Sequence, residues 1–131
     1  MILDTSAILA ILFDEPDAER HLAAIARNRP RRLSVANYVE AGIRLARDRR
    51  DPMPLLQLDR LIQAAEITLE PVTAEHGRIA LDAYRDFGKG SGHPAQLNFG
   101  DCFAYALARS TGEALLFKGE DFGRTDVPAA L

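Results

Sequence analysis

The chain has 131 residues, 47% of them apolar and 27% charged, with a formal net charge of −3 and one cysteine. This is ordinary globular composition, and it leads us to expect a single domain over residues 1–131 with a real core. It argues against nucleic-acid binding by bulk positive charge, an internal disulfide and, with no apolar run near ~20 residues, a membrane-spanning helix.

Residues 1–4, MILD, read as a short buried strand. The segment DEPDAERHLAAIARN reads as a helix. Pro16 fits its first turn, Asp14, Glu15 and Asp17 its positive end, and Ala18, Leu22, Ile25 and Ala26 its apolar stripe. RRLSV is a second strand, followed by a helix from the N-cap Ser34 through ANYVEAGIRLARD. RDPMP punctuates the chain, and Pro54 opens a helix with Leu55, Leu58, Leu61, Ile62 and Ala65 on one face. ITLEPV is a third strand. Thr73 caps the next helix, whose apolar positions are Ile79, Ala80, Ala83, Tyr84 and Phe87, and Gly88 stops it. GKGSGHPAQLN lacks the lysine–hydroxyl ending of a phosphate loop and reads as a flexible connection. FGDCFAYALARST is the last helix, ended by Gly112; ALLF is a fourth strand and TDV a candidate fifth.

Short apolar strands alternating with helices predict an α/β fold. The expected form is a three-layer α/β/α sandwich around a mostly parallel sheet of 4–5 strands. In such sheets ligands bind beyond the carboxyl ends of the strands, which is where Asp4 falls.

Several chemistries are absent. His21, His76 and His93 are scattered without zinc-ligand spacing, and there is no nucleophile elbow or dinucleotide fingerprint. Cys102 reads as a small buried residue. What remains is acidic. Asp4 ends the first strand, where capping the following turn is an equally good role. Glu40 lies beside an apolar stripe, its plain alternative being a surface pair with Arg44 at i+4. Asp101 sits in the first turn of the last helix, where capping is again the common role. Asp121 follows the fourth strand, with Glu120 beside it as a rival. Like charges gathered at one sheet edge repel, and a divalent cation relieves them. Oxygen ligands without histidine or thiol suit Mg²⁺, with Mn²⁺ the alternative.

The MILDTSAIL start, the mid-helix glutamate of NYVEAG, the aspartate of LNFGDCFAYALA and the closing LLFKGEDF together resemble the PIN-domain ribonucleases. The resemblance covers essentially the whole chain and is closest to the VapC-type toxins of bacterial toxin–antitoxin pairs. It implies the toxic component of such a pair, a divalent-metal-dependent endoribonuclease. It also implies a small antitoxin partner and a homodimer or a toxin–antitoxin hetero-oligomer. Asp4, Glu40 and Asp101 match the three principal acids; the fourth is assigned to Asp121, ahead of Glu120 and Asp126. By the same resemblance Asp4 and Asp101 bind the metal, Glu40 and Asp121 hold a second ion or orient water, and Thr5 or Ser6 orients Asp4 or a metal-bound water.

Arginines cluster at 27, 29, 31 and 32 and again at 44, 47, 49 and 50, most of them read as helix-end charges facing water. Arg44, Arg47, Lys89 and Lys118 are the expected contacts to the RNA backbone. Two other readings stand beside the nuclease: a catalytically silent RNA- or protein-binding module on the same scaffold, and a metal-dependent phosphatase acting on small phosphoesters. The start lacks a basic and small-residue secretory pattern, so the cytoplasm is the expected compartment.

Overall fold

A computed structural model describes residues 1–131. Four strands form one parallel sheet: β1 (Ile2–Leu3), β2 (Arg32–Ser34), β3 (Thr68–Glu70) and β4 (Leu115–Leu116), in the order β3-β2-β1-β4. Ile2 pairs with both Arg32 and Leu115, and Leu3 with both Leu33 and Leu116. The chain steps outward from β1 to β3, then crosses back to lay β4 on the other side of β1. The order therefore reverses between β1 and β4, the crevice where open parallel sheets bind ligands.

Six helices cover the sheet: α1 (Thr5–Leu12), α2 (Ala18–Arg27), α3 (Val35–Leu45), α4 (Met53–Ala64), α5 (Ala74–Phe87) and α6 (Phe99–Thr111). Successive strand residues point to opposite faces. Ile2 and Leu115 pack with Ala80, Ala83, Cys102 and Leu107 of α5 and α6. Leu3, Leu33 and Leu116 pack with Ile8, Ile25, Ala41 and Leu58 of α1 to α4. These strand leucines and isoleucines are wholly buried, and each such side chain contributes roughly 1.5–3 kcal/mol of transfer free energy.

Ser34 caps α3, its Oγ accepting from the Ala36 amide, and Gly112 ends α6 in the left-handed region at φ 71°. Other expectations are corrected. TSAILAIL is a helix of its own, and DEPD is the turn that follows it. Asp14 turns the chain there at φ 51°, so the next helix starts at Ala18 and leaves Pro16 outside. Leu22, Leu55 and Tyr84 of the expected apolar stripes are exposed, whereas His21 is buried. TDV is not a strand; the chain instead bridges to the outer edge of β4 at Ala129, with Leu115 N–H donating to Pro128 O. The glycine-rich connection is tied down. Its ends meet where Lys89 N–H donates to Leu97 O and Leu97 N–H to Phe87 O, and Ala95 and Leu97 are buried in the core. Arg31 does not face water: it is buried and donates to the carbonyls of Asn28, Ala65 and Ala26. No helix is long and apolar enough to cross a membrane.

Candidate active site

A cleft of about 350 Å³ opens at the crevice between β1 and β4. It is lined by Asp4, Glu40, Asp101 and Asp121, with Thr5, Ser6, Asn98, Arg44 and Lys118 among them. The four expected acids, distant in sequence, thus share one cleft. Each arrives for a local reason.

Asp4 leaves the end of β1 and caps α1. Its Oδ2 accepts from the Ser6 amide at 2.8 Å and from Ser6 Oγ at 2.6 Å. Its Oδ1 is buried without any partner. Capping and a site role are therefore compatible, because one oxygen serves the helix and the other is left over. Ser6 Oγ in turn accepts from the Lys118 amide at 2.9 Å, which ties the loop after β4 to the start of α1. Thr5 does not orient Asp4; its hydroxyl lies 2.6 Å from Glu40 Oε2 and serves that residue instead. Arg44 lies in the cleft without pairing with Glu40, so the i+4 surface pair that stood as the alternative for Glu40 is absent.

Asp101 and Asn98 form a reciprocal cap at the start of α6. Asn98 Oδ1 accepts from the Asp101 amide at 2.9 Å, and Asp101 Oδ2 accepts from the Asn98 amide at 2.8 Å. Asp121 lines the cleft just before a short 3-10 turn, Phe122–Arg124. Its rivals are engaged elsewhere. Glu120 pairs with Arg124 at 3.0 Å, and Asp126 accepts from the Tyr105 hydroxyl at 2.7 Å and faces Arg109.

Crowding sets the electrostatics. Burial pushes the Asp4 carboxyl above the usual carboxylate range, the Ser6 hydrogen bonds pull it back, and the charge of Glu40 pushes it up again. Asp101 is pushed up to about 7, first by burial and then by the charges of Asp4, Glu40 and Asp121, against the Asn98 hydrogen bond. A divalent cation would remove both penalties. The donor set is all oxygen, and the orphaned Asp4 Oδ1 is a ready ligand, so the residues fit Mg²⁺ or Mn²⁺. No three acidic, histidine or thiol side chains converge closely enough to enclose an ion alone. An ion here fits one or two direct carboxylates with water completing the shell, the usual habit of Mg²⁺.

The basic residues divide. Arg44 and Lys118 line the cleft, and Lys118 Nζ is paired with Glu15. Arg47 stands over the ring of Phe13 at 5.6 Å, on the rim. Lys89 does not reach the acidic cleft; it lines a neighbouring apolar recess with Leu81, Tyr84, Phe99 and Phe103. Sequence reasoning missed Asn37, Asn98 and Gly100. Asn37 is wholly buried beneath Glu40, Asn98 opens α6, and Gly100 lies against the Glu40 carboxyl. The only local signal was the N-x-x-D spacing of the Asn98–Asp101 cap.

Comparison with known proteins bears on the family and the fold. Residues 1–128 match the PIN domain family. The chain is 56% identical over 131 residues to VapC ribonuclease Mb0625 of Mycobacterium bovis, spanning 100% of this chain and 98% of that protein. It has the same identity and coverage to ribonuclease VapC28 of Mycobacterium tuberculosis. Among solved structures it resembles the Mycobacterium tuberculosis VapC20 toxin, which cleaves the sarcin-ricin loop, with a TM-score of 0.72 at 19% identity over 96% of this chain and 95% of that one. It also resembles a chain of a Klebsiella pneumoniae toxin–antitoxin complex, with a TM-score of 0.66 at 14% identity over 92% and 88%. At those identities the structural matches speak for the fold alone, whereas the relatives spanning the full chain speak for the family. The chain belongs to the PIN-domain family and, within it, to the VapC ribonucleases.

Proposed function

We propose that this protein is the toxin of a toxin–antitoxin pair, a Mg²⁺-dependent endoribonuclease that hydrolyses RNA phosphodiester bonds in the cytoplasm. The observation that carries the reading is the Asp4 carboxylate. It is buried, with one oxygen unpartnered, in a cleft shared with three further acids at the reversal of the sheet. A bare scaffold gains nothing from keeping such mutually repelling groups together.

In this mechanism Asp4 and Asp101 are the principal metal ligands, and Glu40 and Asp121 orient water or hold a second ion. Mg²⁺, when bound, lowers the pKa of its water and stabilises charge on the leaving oxygen. Glu40, anchored by Thr5, accepts a proton from the attacking water. Arg44 holds the RNA phosphate in line, offsetting the acidic surroundings. Ser6 keeps Asp4 in one rotamer and joins it to the loop that carries Asp121. No protein nucleophile is required. Unpaired RNA suits the open cleft because its backbone can be splayed across it.

The partners follow from the same reading. A small antitoxin blocks the toxin, as the VapC ribonuclease relatives and the toxin–antitoxin complex suggest. A second copy of the chain covers the apolar face of α3 and α6 beside the cleft, where Ile43 is 71% and Phe99 78% exposed.

The test is cleavage of a mixed cellular RNA pool by the wild type and by Asp4→Asn, each in Mg²⁺ and in EDTA. Discrete cuts made only by the metal-loaded wild type are expected. A folded, partner-free wild type that cuts nothing would leave a binding module as the better description; equal cutting by Asp4→Asn would remove Asp4 from the mechanism.

A further inference from the structure

Asn37 occupies a place that no pattern of acids announces. It lies on α3 one turn before Glu40 and is wholly buried. Its Nδ2 donates to Thr5 Oγ1 at 3.1 Å and to the Gly100 carbonyl of α6 at 3.0 Å, with Glu40 Oε2 at 3.5 Å. Only one orientation of the amide works, because turning it over would set Oδ1 against the Gly100 carbonyl, acceptor against acceptor. In that orientation Oδ1 is buried without a partner. An unmet buried acceptor is a standing cost, retained here for what the other end of the amide does.

The donor inventory gives the contacts a direction. The amide nitrogen has protons only to give, so Thr5 Oγ1 must accept from it. The single Thr5 proton is then free for Glu40 Oε2 at 2.6 Å, a better partner than the backbone carbonyl of Asn37 at 3.4 Å. Hydrogen bonds therefore run Asn37 to Thr5 to Glu40, while the same amide ties α3 to the first turn of α6, the turn that holds Asp101.

We propose that Asn37 is a positioning residue for the hydrolytic site: it fixes the Thr5 hydroxyl toward Glu40 and holds Glu40 in register with Asp101. The inference rests on the endoribonuclease reading of the cleft. Asn37 touches neither substrate nor metal and acts only through Thr5, Glu40 and α6.

The test uses three single variants of the full chain and one double variant. Asn37→Leu keeps the branched shape and removes the donor without adding charge. Thr5→Val keeps the shape and removes the hydroxyl, and Thr5→Ser restores it. The readouts are kcat and KM on an RNA oligonucleotide in Mg²⁺, together with Mn²⁺ affinity by calorimetry without RNA. Asn37→Leu and Thr5→Val are each expected to lower kcat by ~10–100-fold with little change in KM, and to weaken Mn²⁺ binding, as losses of outer-layer support do. Together they lose no more than the larger single loss, and Thr5→Ser recovers most of what Thr5→Val removes. Wild-type kcat and Mn²⁺ affinity in folded Asn37→Leu, or losses that multiply in the double variant, overturn the proposal. If Asn37→Leu does not fold, wild-type kcat and Mn²⁺ affinity in Thr5→Val overturn it alone. If the wild type cleaves no RNA, the endoribonuclease reading fails, and Mn²⁺ affinity still decides whether Asn37 and Thr5 support the acidic site.

Discussion

Gly100 and Glu40 contend for the same space: a Cβ on residue 100 would overlap the Glu40 carboxyl group. The glycine is in the first turn of α6 and its φ is ordinary, so its role is the close approach alone. The Glu40 carboxyl is the tip of a flexible side chain and gives way before the backbone does, at the expense of its hydrogen bond from Thr5. Gly100→Ala favours helix formation by up to about 1 kcal/mol, so the variant is expected to fold with an undiminished melting temperature. It displaces the Glu40 carboxylate instead. A displacement near 1 Å at a reacting group costs on the order of 100-fold in rate. Cleavage kinetics and a melting curve on one preparation separate the two effects; unaltered kcat would mean that the Glu40 position is not critical.

Asp101 couples the site to pH. An unfolded chain releases that proton near ~3.9, whereas the folded protein holds it to about 7. Between those values the native state binds the extra proton, so Asp101 contributes stability at low pH that is lost as pH rises toward 7. Asp4, also pushed upward, adds in the same direction. Asp101→Asn keeps an acceptor for the Asn98 amide and cannot ionise. In EDTA its melting temperature is expected to gain on the wild type from pH 5 to pH 8, and saturating Mg²⁺ should close the gap by neutralising the wild-type charge. A gap that does not vary with pH would contradict the raised carboxyl.

Arg44 is the cleft's one arginine and has no carboxylate partner there, whereas Lys118 is paired with Glu15. Loss of one phosphate contact should therefore come from Arg44→Ala more than from Lys118→Ala. For single-stranded RNA each such contact contributes ~0.7 to the slope of log affinity against log salt. Binding of uncleavable RNA by Arg44→Ala, measured over a salt series, is expected to be weaker with a slope shallower by about that amount. A parallel line, weaker or not, would take Arg44 off the phosphate.

The contrast between Asp4 and Asn37 shows where sequence legibility ends. Asp4 ends an apolar run and precedes two hydroxyls, a local pattern that marks both strand end and cap. Asp101 and Asp121 are similarly marked by the helix and strand beside them, and the four strands and five of the helices follow from short-range pattern. Helix α1 does not, because Thr5, Ala7, Ile8, Leu9 and Ala10 are all buried and no polar face reveals a helical period. Asn37 has one local neighbour, Glu40 at 3.5 Å, but its closer contacts and those of Gly100 are to residues 32 and 60 or more positions away, so no window of sequence contains their reason. Lys89 failed for a related cause: its loop closes back on Leu97 and turns it to the apolar recess.

That recess adjoins the face on which the homodimer proposal rests. Val39 and Ile43 of α3, Leu81 of α5 and Phe99 of α6 are all exposed, and Asn98 borders both this face and the acidic cleft. Phe99 is the first residue of α6 and Ile43 lies in the last turn of α3. An acid at the first position and a base at the second complement the helix dipoles. Phe99→Asp and Ile43→Lys should therefore leave the fold intact while placing charge on the apolar face. Because a two-fold interface presents each residue twice, one substitution introduces two charges. Sedimentation equilibrium is expected to show a dimer for the wild type and, for either variant, a monomer that still melts cooperatively but at a temperature independent of concentration. A wild type that stays monomeric at all concentrations, or variants that remain dimeric, would show that a second copy does not cover this face.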